Sequence, residues 1–186
     1  MEITKVFEEM VKLNEKYNLN IELMDVKESN HKKQNADMLK NQSAKLIEKR
    51  SLQEYLIGMN SFDITTIKLD VARELNFMNV EEVVKSFKDM TERTTNLIAE
   101  LEKNCPSNHF MIVLDNLDCF VKEMQNQGVF LDDSEQTVDR LIREVFKVQL
   151  TEWQKKGQVT IISDKDVMRE FIGGDVPLKR RIQHHF

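Results

Sequence analysis

Phe110-Met111-Ile112-Val113-Leu114 is an unbroken apolar run, set between the polar clusters Pro106-Ser107-Asn108 and Asp115-Asn116. A strand with one wet face alternates apolar and polar residues. An unbroken run must be dry on both faces, which is how a strand inside a helix-covered parallel sheet reads. Val159-Thr160-Ile161-Ile162 reads as another buried strand, its one polar residue a β-branched threonine. Parallel neighbours cannot be joined by a hairpin, so the chain around these strands has to carry crossover helices.

Helical patterns stand where crossovers are needed. Ile3, Val6, Phe7, Met10, Val11 and Leu13 share one face of an amphipathic helix over 2–17. Val83–Leu101 is a second helical stretch. Val138, Leu141, Ile142, Val145, Phe146 and Trp153 form a third, begun by Asp132-Asp133-Ser134-Glu135 and stopped at Gly157. Ala44, Leu46 and Ile47 begin a further helical pattern that ends near Arg50. Tyr55-Leu56-Ile57 before Gly58 reads as a short buried strand, and Thr66–Leu75 as a helix. Residues 27–43 are polar and nearly free of large apolar groups, which marks a boundary between an N-terminal helix with its linker (1–43) and the main domain (44–186). The alternation of strands and helices predicts an α/β fold, a parallel sheet flanked by helices with an N-terminal helical appendage.

Composition narrows the function classes. A length of 186 residues supports one domain with a real core. The formal charge of −5 argues against nucleic acid as the main partner. No run approaches the ~18 apolar residues of a membrane span, and the N-terminus has no signal-peptide pattern. Cys105 and Cys119 then read as free thiols in a reducing compartment, and a cytoplasmic location is expected. His31, His109, His184 and His185 pair with no cysteine or carboxylate at ligand spacing, so no metal site is predicted. No Ser/His/Asp or Cys/His set shares a local context.

The last stretch is the most specific. Ser163-Asp164-Lys165-Asp166-Val167-Met168-Arg169-Glu170-Phe171-Ile172 runs on through Asp175-Val176-Pro177-Leu178-Lys179-Arg180-Arg181-Ile182-Gln183. It resembles the end of the nucleotide-binding core in the first AAA+ module of Clp/Hsp100 unfoldases, where a small polar sensor residue precedes a short helix and an arginine pair. The resemblance implies a RecA-like/AAA+ sheet over residues 44–186, with Ser163 as sensor. It also implies Arg180 and Arg181 as trans-acting fingers, reaching a neighbour's transferring phosphoryl group.

Set against that family's patterns, the chain's own nucleotide site looks degenerate. Gly58 and Thr65 resemble the ends of the phosphate loop, but Ser61 and Asp63 then fall where glycines belong, and Ile64 where the lysine belongs. Asp115 resembles the magnesium-positioning aspartate. Asn116 takes the place of the catalytic glutamate, and an amide cannot act as a general base. Ser163 equally reads as the cap of the following helix, and Asp115-Asn116 as a polar turn. Lys85-Ser86-Phe87-Lys88-Asp89 falls where a pore loop would stand, with Phe87 reading better as core. The match stops at Phe186, before a helical lid, so a truncated, lidless core is expected.

The expectation is therefore a catalytically inactive AAA+ core that needs no cofactor. Its partners would be a Clp-type AAA+ subunit or further copies of itself. Two alternatives stay open: a divergent ATPase using ATP and magnesium through Thr65, Asp115 and Ser163, and a small interaction or immunity protein that has inherited the scaffold.

Overall fold

The computed structural model describes residues 2–24, 34–60, 62–75, 82–126 and 138–184. Along the chain the first elements are helix α1 (Glu2–Tyr17), strand β1 (Glu22–Leu23), strand β2 (Ala44–Ile47), helix α2 (Leu52–Met59), strand β3 (Thr65–Asp70) and helix α3 (Val71–Glu74). They are followed by helix α4 (Val83–Asn104), strand β4 (Phe110–Asp115), helix α5 (Leu117–Asn126) and helix α6 (Val138–Lys156). The chain continues through strand β5 (Val159–Ile162), helices α7 (Lys165–Ile172) and α8 (Val176–Arg181), and strand β6 (Ile182–His184). The strands form one six-stranded mixed sheet in the order β1-β3-β4-β5-β2-β6. Only β1 runs antiparallel, on the β3 edge.

Both expected buried strands are central ones, and every residue of β4 and β5 is buried. Their side chains divide between two cores by the two-residue period of a strand. Phe110, Ile112, Leu114, Val159 and Ile161 join the large core beneath α1, α4, α5, α6, α7 and α8. Met111, Val113 and Ile162 face the other way, onto Ile47 and Leu56 of β2 and α2. Val6, Met10 and Leu13 of α1 belong to the same large core as the sheet. Phe87 is buried in that core and stacks on Phe120 with centroids 5.6 Å apart.

Three elements differ from the sequence expectation. Ala44–Ile47 is not helical but the strand between β5 and β6, with Leu46 opposite Ile161. Tyr55–Ile57 is not a strand but the middle of α2. Leu52, Tyr55, Leu56 and Met59 recur at helical spacing toward the small core, while Ile57 is exposed. The first half of Thr66–Leu75 is strand and only Val71–Glu74 is helical: the β-branched Thr65, Thr66 and Ile67 open β3, whose full length pairs with β4. Asp70 then caps α3 by accepting the Arg73 N–H. These windows are too short for periodicity to separate helix from strand, and burial between parallel neighbours decided β2 and β3. The expected helix start at 132–135 and residues 27–33 of the expected linker lie outside the described residues.

The end of α6 needs a glycine. A Cβ on Gly157 would stand 2.0 Å from the Phe110 carbonyl oxygen, where β4 begins. Gly157→Ala should therefore displace β4 from β5 and cost about 2–4 kcal/mol, measured as a lower urea midpoint. Ile161→Asp, which buries an unpaired charge at a position with 0% exposure, should leave no cooperative transition.

Candidate functional site

The helix following β2, α2, packs on one face of the sheet, and the helices following its neighbour β5, α7 and α8, pack on the other. Between two such strands the connections diverge at the carboxyl ends and leave a crevice, where open α/β sheets bind ligands. Here a cleft of about 550 Å³ opens at that point. The turn after β2 contributes Glu48, Lys49 and Arg50, the end of β4 contributes Asp115, Asn116, Asp118 and Cys119, and the end of β5 contributes Ser163, Asp164 and Lys165.

The strand ends fix these groups by short hydrogen bonds. Asp115 is 8% exposed, and its Oδ1 accepts the Asn116 N–H at 2.9 Å. Its Oδ2 takes no hydrogen bond among the described residues. Asn116 has φ +60, a left-handed conformation that asparagine tolerates better than most residues. The turn this makes lets its carbonyl accept the Phe120 N–H at 3.1 Å and start α5. Asp118 Oδ2 accepts the Asp164 N–H at 2.8 Å, tying the β4 end to the β5 end. Ser163 is 4% exposed and donates its hydroxyl to the Asp164 carbonyl at 3.0 Å. It is not the cap of α7. That role belongs to Asp164, whose Oδ1 accepts the N–H groups of Asp166 and Val167.

These contacts set the local acid–base behaviour. The Val167 N–H holds the Asp164 carboxyl below its usual range against the opposing effect of burial, with help from the Asp166 N–H and Lys122. Burial pushes the Cys119 thiol up, as do the charge and hydrogen bond of Asp118, so it stays protonated near neutral pH. Neither cysteine is in a disulfide; Cys105 is buried and Cys119 exposed.

Of the residues singled out from sequence, Asp115, Asn116 and Ser163 meet at the cleft. Gly58 and Thr65 do not. Gly58 lies in the last turn of α2 with nothing near its Cα face. Thr65 starts β3 at the opposite end of the sheet. There it donates its N–H to the His109 carbonyl and accepts from Asn108, a strand length (roughly 17 Å) from the Asp70–Asp115 end. Asn60 ends α2 and Ile64 leads directly into β3, so Asp63 and Ile64 do not lie in a phosphate loop between a strand and a helix, and Ser61 lies outside the described residues.

The strand–turn–helix that does open on the cleft is β2, Glu48–Ser51, α2. Its three groups Glu48, Lys49 and Arg50 are absent from the sequence-based candidates because the pattern of Ala44–Ile47 predicts a helix there and no strand end. A polar quartet directly after a Leu-Ile pair was the available signal. The turn contains no glycine, its Ser51 N–H is spent on the Glu48 carbonyl at 2.9 Å, and Arg50 pairs with Glu48 at 2.5 Å. A phosphate cradle needs several converging N–H groups and close backbone approach, and this turn supplies neither. The cleft also carries the four carboxylates of Glu48, Asp115, Asp118 and Asp164 against the three cations Lys49, Arg50 and Lys165. That donor set does not fit a magnesium–nucleoside triphosphate. Among the described residues, no three His, Cys, Asp or Glu side chains are grouped to hold a metal ion.

The two arginines sit at the other end of the sheet. Ile182, which follows them, pairs with Ala44 at the start of β2, and Ser43 donates to the Arg180 carbonyl. Arg180 is exposed and its guanidinium has no partner among the described residues. Arg181 is half-buried and bonded within the chain. No protein-family model and no curated protein sequence matches the chain. Among the described residues, no helix is long and apolar enough to cross a membrane.

The Asp164 cap gives a signed pH test. Its carboxyl is lowered in the fold, so its stabilisation is complete above the unfolded value (about 3.9). It is lost as pH falls through the lower folded value. Asp164→Asn keeps a good capping oxygen without the charge. Below about pH 4 the wild type should lose urea stability more steeply than this variant, and above pH 5 the two should run parallel.

Proposed function

We propose that the chain is a RecA-like core of the AAA+ type, related to the Clp/Hsp100 unfoldases. In this reading it has no ATPase activity and acts by contact with another protein, as a regulatory or interaction subunit toward an active AAA+ unfoldase. The observation that carries this reading is the turn from β2 to α2. It occupies the position at the switch point where a nucleotide's phosphates would rest, and it is short, glycine-free and has its Ser51 N–H already spent on the Glu48 carbonyl. Asn116 beside it offers no general base for water. Supporting the interaction half is Arg180, an exposed cation at the far end of the sheet from the cleft, on the stretch that resembles the finger region of that family. The protein is then a cytoplasmic one whose partner is an unfoldase subunit or a second copy, with no role for nucleic acid or membrane.

Asp115 and Ser163 favour one rival reading, a divergent nucleotide-binding subunit. Both are buried and polar, Asp115 lines the cleft, and its Oδ2 takes no hydrogen bond among the described residues. Calorimetric titration separates the two. The proposal predicts that magnesium–ATP binds no tighter than about 1 mM, about −4 kcal/mol, and that Asn116→Glu gains no turnover. Micromolar binding would instead establish the divergent subunit. Affinity capture from cells is expected to recover a AAA+ ATPase whose hydrolysis rate changes when the purified chain is added. Capture that never includes an ATPase would leave the interaction protein with an inherited scaffold.

A further inference from the structure

Helix α8 has only six residues, far short of what holds a helix in water by itself, so its orientation is set by what it touches. Leu178 enters the core with 0% exposure. The two ends are fastened to α6. At the first end, Asp175 accepts the Leu178 N–H at 3.1 Å and the Lys147 ammonium at 3.0 Å, with the Arg143 guanidinium 3.8 Å away. At the last end, Arg181 donates Nε to the Thr151 hydroxyl at 3.0 Å and Nη1 back to the Pro177 carbonyl at 2.7 Å. Lys147 and Thr151 are one turn apart on the same face of α6, so a single row of that helix holds both ends of α8. Gln154, next along α6, adds a bond to the Arg181 carbonyl at 3.0 Å.

Arg180 takes part in none of this. We infer that the arginine pair is divided: Arg181, with Asp175, positions α8, and Arg180 alone is the group offered to an oxyanion on a partner protein. The inference rests on the proposed reading of this stretch as an arginine-finger region. It departs from that reading in leaving one finger instead of two. A guanidinium held by a hydroxyl and a carbonyl has two of its five N–H groups committed and its orientation fixed. An exposed one keeps its bidentate fork for a phosphate or carboxylate.

The test is arginine footprinting of the full chain with phenylglyoxal, read by mass spectrometry beside amide exchange. In the wild type, Arg180 should react faster than Arg181 by about tenfold or more, the population change expected from one charge-assisted hydrogen bond. Asp175→Asn and Lys147→Met should each raise the Arg181 rate and speed exchange of the α8 amides, leaving β4 amides unchanged. Arg181→Lys should restore most of the protection that Arg181→Ala loses. Arg180→Ala should leave α8 exchange unchanged and abolish any effect on a partner ATPase. Equal reaction rates for the two arginines in the wild type would overturn the division, as would unchanged α8 exchange in Arg181→Ala. The expected footprint with no responsive ATPase would support the division while removing the proposed function.

Discussion

Pairing of β4 with β3 on one side and β5 on the other, in register and in the dry, is the interaction on which the remaining structure depends. Six consecutive residues of β4 align with six of β3, and Ile112, Val113 and Leu114 align with Val159, Thr160 and Ile161. Because both faces of this central ladder are buried, its side chains build two cores at once, and a shift of one residue would exchange them. The helices follow from it. α4 and α6 return the chain to the sheet on one face and pack on each other, with the Trp153 indole N–H closed onto Thr95 at 2.9 Å. Gly157 lets α6 end against the Phe110 carbonyl with no side chain between them.

The same ladder places the chemistry. Parallel strands finish at one end of the sheet, so the polar residues that terminate β2, β4 and β5 converge without being near in sequence. Asp115, Ser163 and the turn at Glu48–Ser51 come from three separate segments, yet they line one cleft because their strands are neighbours. What they form is a crevice tied shut at one side by the Asp118–Asp164 bond and furnished with carboxylates. In the proposed function this crevice is a nucleotide site without phosphate-holding backbone, and the end offered to a partner lies elsewhere, on a short helix clamped to α6.

Legibility in the sequence followed burial. Phe110–Leu114 and Val159–Ile162 could be read directly, since an apolar run bounded by turns has few other uses. The long helices α1, α4 and α6 announced themselves through many turns of one apolar stripe. β2, α2 and β3 did not. Ala44-Lys45-Leu46-Ile47 fits a helical or a strand template equally well, and only the presence of β5 and β6 on either side chooses. The phosphate loop expected at Gly58–Thr65 fails with the Tyr55–Ile57 strand, since Gly58 lies in a helix end and Thr65 opens a strand. The polar residues after those strands, Asp115, Asn116 and Ser163, line one cleft because the ends of neighbouring parallel strands converge there. Asp164 and not Ser163 caps α7 because the helix begins at Lys165, which makes Asp164 the residue directly before the first turn and leaves Ser163 one position too early.

The central claim is that the turn after β2 faces the cleft but cannot hold a nucleotide there. Its most direct test is a residue-resolved one: amide resonances of the uniformly labelled protein followed during titration with magnesium–ATP. The account predicts that Lys49, Arg50, Ser51, Asn116 and Ser163 show no saturable shift, while addition of a partner ATPase perturbs the amides around Arg180. Saturable, coordinated shifts at the turn after β2 and at Asn116 and Ser163 would contradict it and make this cleft a working nucleotide site.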